Sequence, residues 1–418
     1  MHVALDARTL FGSARRGIGK TLGELYHYLR EVRPDWHVTA YHRPTAAADA
    51  AETSDAPTPA THAGPSCPHE DPDRLKPHDR DTTRTTARPA MTPRPMDMPG
   101  DRFDAWQRLR LPLAARLSGA DVLHCPANGC PTWMPLPTVV TIHDVIPLDL
   151  PEGRPVAELR RFERGVRDAC RRARAIVTPS RYTRRRLIDG WKADPRRVVV
   201  APWSADSRLL AARGVDGDVA ATQRVLQWAG VDGPFVLHFG AAEPRKNTRR
   251  VIESWAMVHR GIRKRWKLLV VGLDAATLAS LHEVVQRLGL QRHVHLRGFA
   301  DERDLPALMR AAGVLLYPSL SEGFGLPVLD AFATDTAVVT AKHTAIEEVA
   351  GAAAHFVDPT DTHSIAAGLQ RVLSEPGYRE HLLGSGRRQL QRFNWRESAD
   401  RFARVLELVA DGTRRRAA

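Results

Sequence analysis

Several things are scarce in this chain. Its 418 residues include four cysteines, Cys67, Cys125, Cys130 and Cys170, and no C-x-x-C pair. That pattern suggests neither a zinc site nor a disulfide framework. No apolar run is long enough to span a bilayer. The chain opens on the apolar strand HVALDA, without a basic-then-apolar leader, which predicts a cytoplasmic protein. Zinc-finger and RNA-recognition signatures are missing, as is any alternation of aromatic with basic residues, so nucleic acid is not an expected partner. Bulky apolar residues all but vanish between Thr45 and Gly100, where Ala, Pro, Thr, Asp, Arg and His dominate. Such a stretch cannot bury enough surface to offset its ordering entropy, so 45–100 reads as a disordered insertion at a loop tip.

Elsewhere the chain is well supplied. Hydrophobic residues make up 43%, enough for a sizeable core, and the length suggests two or three domains. The net charge of +13 favours polyanionic partners, namely phosphorylated substrates or anionic lipid. Basic residues gather in Arg160–Arg174 and Arg181–Arg186, with Leu159, Phe162, Val166 and Ala169 between them at helical spacing. This is either a solvated helix face or a surface for anionic headgroups or a lipid-diphosphate acceptor.

Short apolar runs alternate with stretches of helical period along most of the chain. The first half reads strand 2–7, helix 18–32 and strand 36–41, then strands 122–125, 139–144, 175–178 and 198–201 with helices between. A polar, glycine-containing segment, 205–233, reads as a hinge. A second alternating set follows, with strands 235–239, 267–271, 294–296, 314–317, 337–340 and 355–357. Two α/β halves, 1–204 and 234–390, imply parallel sheets whose carboxyl ends face a shared cleft.

The stretch SLSEGFGLPVLDAFA, Ser319 to Ala333, has the pattern of a strand, a glycine loop and a helix start. Backbone N–H groups and the positive helix end then converge on one point, which suits phosphate. Glu322 and Asp330 stand beside that point and suit hydroxyls, so a nucleotide sugar is a fitting ligand; solvent-facing acids on an ordinary turn are the bland alternative. The second half opens with strand 235–239 and then GAAEPRKN, in which Arg245 and Lys246 precede a helix expected to be capped by Asn247. Near the N-terminus, ARRGIGKT (14–21) nearly matches a P-loop, but Ala14 stands where that loop needs glycine.

Together, FGAAEPRKNTRRVIESWA, SEGFGLPVLDAFATDTAVVT and VDPTD resemble the retaining glycosyltransferases of family four, which have the GT-B fold. ALDARTLFGSARRGIGKTLGEL, ADVLHCP, VVTIHDVIPLDLP and AIVTPSRYTRRRL extend the resemblance to the first half. It implies donor-sugar contact by Glu322, the first acid of a paired motif, and ribose contact by Asp330, eight residues on, where the family usually has glutamate. It implies backbone donors at Phe324, Gly325 and Leu326, diphosphate binding by Lys246 with Arg245 beside it, and a donor-facing glycine loop at Gly17 and Gly19. His143 would lie near the transferred sugar. Ala241 stands where the family often has arginine. The final helix, 391–418, would return to the first domain. The implied reaction is metal-independent transfer of a hexose, with GDP-mannose the favoured donor, to a glycan or lipid-linked oligosaccharide at the inner membrane face. No cofactor beyond the donor is implied. A catalytically inactive scaffold of the same fold is the alternative.

Overall fold

The computed structural model describes residues 1–11, 17–44, 91–97, 105–213 and 218–417, without side chains beyond 412. Two parallel sheets organise the chain. The N-terminal sheet contains β1 (His2–Asp6), β2 (His37–His42), β3 (Thr92–Pro95), β4 (Val122–Cys125), β5 (Thr138–Thr141), β6 (Ala175–Thr178) and β7 (Val198–Val200), in the order β3-β2-β1-β4-β5-β6-β7. The C-terminal sheet contains β8 (Phe235–Phe239), β9 (Lys267–Val271), β10 (Val294–Leu296), β11 (Val314–Tyr317), β12 (Ala337–Ala341) and β13 (His355–Val357), in the order β10-β9-β8-β11-β12-β13. Central strands such as VLLY and FVLHF are apolar on both faces because helices cover both faces of each sheet, as parallel sheets require.

One strand departs from the sequence reading. Residues 92–95 were expected within a disordered insertion, yet they form β3, the parallel edge strand beside β2, pairing Thr39 with Thr92 and His42 with Pro95. All four residues are exposed and two are prolines, so they carry no strand-like alternation. Proline is tolerated there because an edge strand has one unpaired side. The end of β3 is anchored by Met96, whose N–H donates to His42 O at 2.8 Å and whose carbonyl accepts the Trp106 indole N–H at 3.0 Å. The rest of the expected insertion, 45–90 and 98–100, lies outside the described residues.

The segment expected as a hinge contains the helices Ser207–Ala211 and Val219–Ala229. The second packs on Leu305–Ala311 and buries Ala221, Val225 and Ala229. The last helix, Trp395–Ala417, lies against Ile18–Val32 of the N-terminal lobe. Arg33 fastens that contact with bonds to Glu407 at 2.7 Å and Asp400 at 3.2 Å. At the start of this helix, the Trp395 indole donates to Ala205 O at 2.7 Å and its ring stacks on Trp203.

Candidate active site

The site begins at the carboxyl end of β8. A turn, Pro244–Lys246, carries two cations toward the end of β11. Asn247 was expected to cap the following helix with its side chain. Instead its backbone is left-handed, at φ 62°, and its Nδ2 donates to Pro318 O at 3.0 Å and Pro359 O at 2.7 Å. Asparagine tolerates that conformation, and its side chain ties the turn to neighbouring loops rather than to the helix. The Leu320 N–H donates to Arg245 O at 2.8 Å, so the β8 turn and the β11 loop form one unit.

Glu322 sits where they meet. Its Oε1 accepts from Lys246 Nζ at 2.8 Å, Arg245 Nη1 at 2.7 Å and Tyr317 Oη at 2.7 Å. Lys246 also donates to Tyr317 Oη. Burial by itself would raise the Glu322 carboxyl, but Lys246 and Arg245 outweigh it and bring it down to about 2. Burial and the facing glutamate push the Tyr317 hydroxyl up to about 12. Glu322 is therefore a fixed anion and a weak base, held by charge-assisted bonds. Arg245 also pairs with Glu243 at 2.5 Å, so two cations meet two carboxylates, and Lys246 and Arg245 stand beside the glycine turn.

That turn reaches across to the N-terminal lobe. A Cβ on Gly323 would fall 2.5 Å from both Asp144 Cβ and His143 O, so only glycine fits. The Gly323 carbonyl accepts from Ser180 Oγ at 2.8 Å and Thr183 Oγ1 at 3.3 Å. Nearby, Glu348 Oε2 accepts the Arg181 N–H at 2.8 Å and the Tyr182 N–H at 3.2 Å, at the start of a helix of the opposite lobe. Gly325, at φ 114°, turns the chain into the helix Leu326–Ala333. The N–H groups of Phe324, Gly325 and Leu326 thus belong to a helix start, where donors have no intrahelical partner. The Phe324 ring is buried edge-on to Phe393.

His143 follows β5. Its ring Nε2 lies 2.8 Å from Pro126 O and its backbone N–H donates to Asn128 Oδ1 at 2.7 Å. Burial holds the imidazole down at about 4, with the Pro126 carbonyl opposing. It is neutral at physiological pH, with Nε2 protonated toward the carbonyl and Nδ1 an acceptor.

Asp330 contacts the segment expected as a hinge. Its Oδ1 accepts the Asp206 N–H at 2.9 Å. Burial lifts its carboxyl to about 6, with Lys20 opposing. Lys20 belongs to the helix that begins after Gly17, and its ammonium is 2.5 Å from Asp206. Gly17 has φ 48° and a backbone open to solvent, while Gly19 is buried in the first helical turn. Residues 12–16 of that loop lie outside the described residues. Lys20 thus forms an ion pair in the near-match to a P-loop.

Three side chains escaped the sequence reading. Asp144 adjoins Gly323, and burial pushes its carboxyl up to about 6 against the Ile146 N–H and Arg245. The motif IHD contained it, but only the tertiary contact singles it out. Ser319 and Ser321 flank the loop with buried hydroxyls that have no protein partner. Serines in a loop carry no distinguishing sequence signal.

Known proteins match this arrangement. A family model for Glycosyltransferase Family 4 matches residues 15–209, and one for Glycosyl transferases group 1 matches residues 227–389. Sucrose-phosphate synthase from Thermosynechococcus elongatus superposes with TM-score 0.72 and 19% identity over 99% of this chain and 100% of that one, a likeness of fold. Two parallel-sheet lobes with this topology make up the GT-B fold. Within that class, the chain belongs to the glycosyltransferases of the family-four type. The O-antigen chain mannosyltransferase B of Escherichia coli is 27% identical over 65% of this chain and 70% of its own length. The serotype-specific mannosyltransferase WbdA of the same organism is 25% identical over 68% of this chain, which spans 35% of that longer protein.

Proposed function

We propose that the protein transfers mannose from GDP-mannose, with retention of configuration, to a glycan or lipid-linked oligosaccharide in surface polysaccharide synthesis at the inner face of a membrane. One observation carries the reading. The Arg245–Lys246–Glu322 cluster meets the His143–Asp144 loop of the other lobe at Gly323. Diphosphate-binding charge and hydrogen-bonding partners for sugar hydroxyls then share one seam. The match to an O-antigen chain mannosyltransferase and to a serotype-specific mannosyltransferase supports the choice of sugar and product.

The chemistry follows from where charge develops. When the anomeric carbon–oxygen bond breaks, negative charge collects on the departing diphosphate. Lys246, Arg245 and the N–H groups at the Leu326–Ala333 helix start offset it, and their fixed positions minimise reorganisation. In this reading no metal is required. The acceptor hydroxyl attacks from the face the diphosphate leaves, and its proton passes to the departing phosphate oxygen. Glu322, bonded to three donors and held near about 2, is a positioning anion rather than a nucleophile. His143 Nδ1 accepts a sugar hydroxyl, and Asp330 with Asp206 lies on the ribose side. The Ser319 and Ser321 hydroxyls are further donors for the ligand.

Thermal stabilisation by GDP-, UDP-, ADP- and dTDP-sugars tests the donor, because a ligand that binds only the folded state raises its stability with concentration. GDP-mannose should give the largest shift. A larger shift with another nucleotide sugar would replace the donor, and none with any would remove the reading. Product anomers seen by NMR decide retention.

A further inference from the structure

One buried titratable group at the site has no part in the chemistry above. Tyr317 is the last residue of β11 and is 1% exposed. The sheet fixes its backbone: the Tyr317 carbonyl accepts the Thr340 hydroxyl of β12 at 2.7 Å, and the Leu316 carbonyl before it accepts from the buried His238 ring of β8 at 2.8 Å. A phenol in such a place costs free energy unless its oxygen is hydrogen-bonded. Here the oxygen is bonded on two sides, to Lys246 Nζ and, at 2.7 Å, to Glu322 Oε1.

Chemistry fixes the direction of these bonds. An ammonium only donates, so the Tyr317 oxygen accepts from Lys246 and its own proton goes to Glu322. Burial and the facing carboxylate push the phenol up to about 12, so it keeps that proton at physiological pH. Lys246 uses two of its three N–H groups, on Tyr317 and on Glu322 Oε1 at 2.8 Å, and keeps one. On Glu322 all three donors, Lys246, Arg245 and Tyr317, converge on Oε1. Oε2 has no protein donor among the described residues, while the side chain retains 11% exposure. Phenol, ammonium and carboxylate thus close a triangle of hydrogen bonds. What the triangle leaves unused is one N–H and one carboxylate oxygen.

We infer that Tyr317 is a positioning residue for transfer: its hydroxyl pins Lys246 to Glu322 Oε1, so that the remaining Lys246 N–H meets the departing diphosphate and Glu322 Oε2 meets a donor-sugar hydroxyl. The inference deepens the transferase reading above and rests on it. Lysine is a flexible stem with three rotatable donors, and nothing in its own structure selects which N–H points outward. The phenol makes that selection, and its donated bond likewise selects which carboxylate oxygen faces inward. Being fully buried, it acts through these two groups. Without it, the released Lys246 N–H still reaches a phosphate, so binding of the donor persists. Fixed placement as charge develops is what disappears, and that loss falls on kcat rather than on KM.

Steady-state kinetics of the full chain test this, using whichever nucleotide sugar stabilises the wild type most. Tyr317→Phe keeps the ring and removes only the hydroxyl. It should lower kcat by about 10- to 10²-fold, leave KM within about threefold, and preserve the thermal shift given by the nucleotide sugar. Thr340→Val removes the bond to the Tyr317 carbonyl and leaves the phenol in place. It should lower the melting temperature and keep kcat within about twofold. In a Lys246→Ala background, Tyr317→Phe should cost less than about threefold, because its effect travels through the lysine. Each rate is read below the melting temperature of its variant. Unchanged kcat in Tyr317→Phe, an equal loss in Thr340→Val, or the same loss with and without Lys246 would each overturn the phenol's role and leave the transferase reading standing. A rise in KM alone would make the hydroxyl a ground-state binding group and overturn the positioning role. A wild type that turns over no nucleotide sugar would overturn the transferase reading, and the phenol's part in transfer with it.

Discussion

The two lobes share a fold but bring unlike chemistry to their seam. The C-terminal lobe contributes fixed charge, with Arg245, Lys246 and Glu322 ionised and bonded to one another. The N-terminal lobe contributes fewer charges there: the neutral His143 imidazole, the Ser180 and Thr183 hydroxyls on the Gly323 carbonyl, and one carboxyl, Asp144, which burial pushes up to about 6. In the proposed reaction this difference would divide the labour, one lobe handling the developing phosphate charge and the other orienting hydroxyls. A pair of identical binding halves would have placed similar charges on both sides.

The strongest way to break this comparison is to force the halves apart. Gly323→Ala places a methyl 2.5 Å from Asp144 Cβ and His143 O. Transfer should fall by about 10²-fold or more, because small misplacement of reacting groups is costly. Steady-state kinetics within threefold of wild type would show that the seam is dispensable. Lys246→Ala should cost about 10²–10³-fold in kcat/KM by removing a preorganised cation, and should diminish the thermal shift given by nucleotide sugar. Unchanged turnover would remove the diphosphate assignment.

Stability measurements sharpen the contrast between the acids. Glu322 has a depressed pKa, so its stabilisation is present above about pH 4.5 and is lost as pH falls through about 2. Glu322→Gln leaves the buried Lys246 without a carboxylate while Arg245 keeps Glu243, and should destabilise by about 3 kcal/mol at pH 7 in urea titrations. Asp330 behaves oppositely. Its raised pKa means that the native state binds the extra proton, so stability falls as pH climbs from about 4 through about 6. Asp330→Asn should therefore gain about 1–2 kcal/mol at pH 7.5 and nothing at pH 4. An equal change at both pH values would mean that the shift is not electrostatic.

The smallest expected effect concerns the segment before β3. Deleting 46–90 should change stability by less than about 1 kcal/mol, since loop length costs little. Extending the deletion to 99 removes β3 and the Met96 bonds to His42 and Trp106, and should cost about 2–4 kcal/mol more in thermal or urea melts.

Much of this architecture is legible in the residue order. Among the described residues, twelve of the thirteen strands carry largely apolar runs that announce them, because a strand covered on both faces is mostly apolar. β3 is the exception, because the sequence TPRP has only its edge pairing to define it. The charged half of the site was legible too, since Arg245, Lys246 and Glu322 are neighbours of glycine turns at strand ends. Asn247 was misread because its side chain bonds carbonyls of two distant loops, which no local pattern encodes. Asp144 went unremarked for the same reason: its neighbour Gly323 is remote in the chain.

By itself, then, the sequence determined the alternation of elements, the parallel sheets and the cationic turn, all of which follow from periodicity and chemistry within a few residues. Tertiary structure alone decided what those groups face. It set the Lys246 and Arg245 charges against Glu322 and Glu243, gave the Asp330 carboxyl to the Asp206 backbone, and left Leu109, Leu113 and Leu117 exposed. The physical reason is that hydrogen bonds, desolvation and exposure depend on distances through space, and those are set only when separate segments pack.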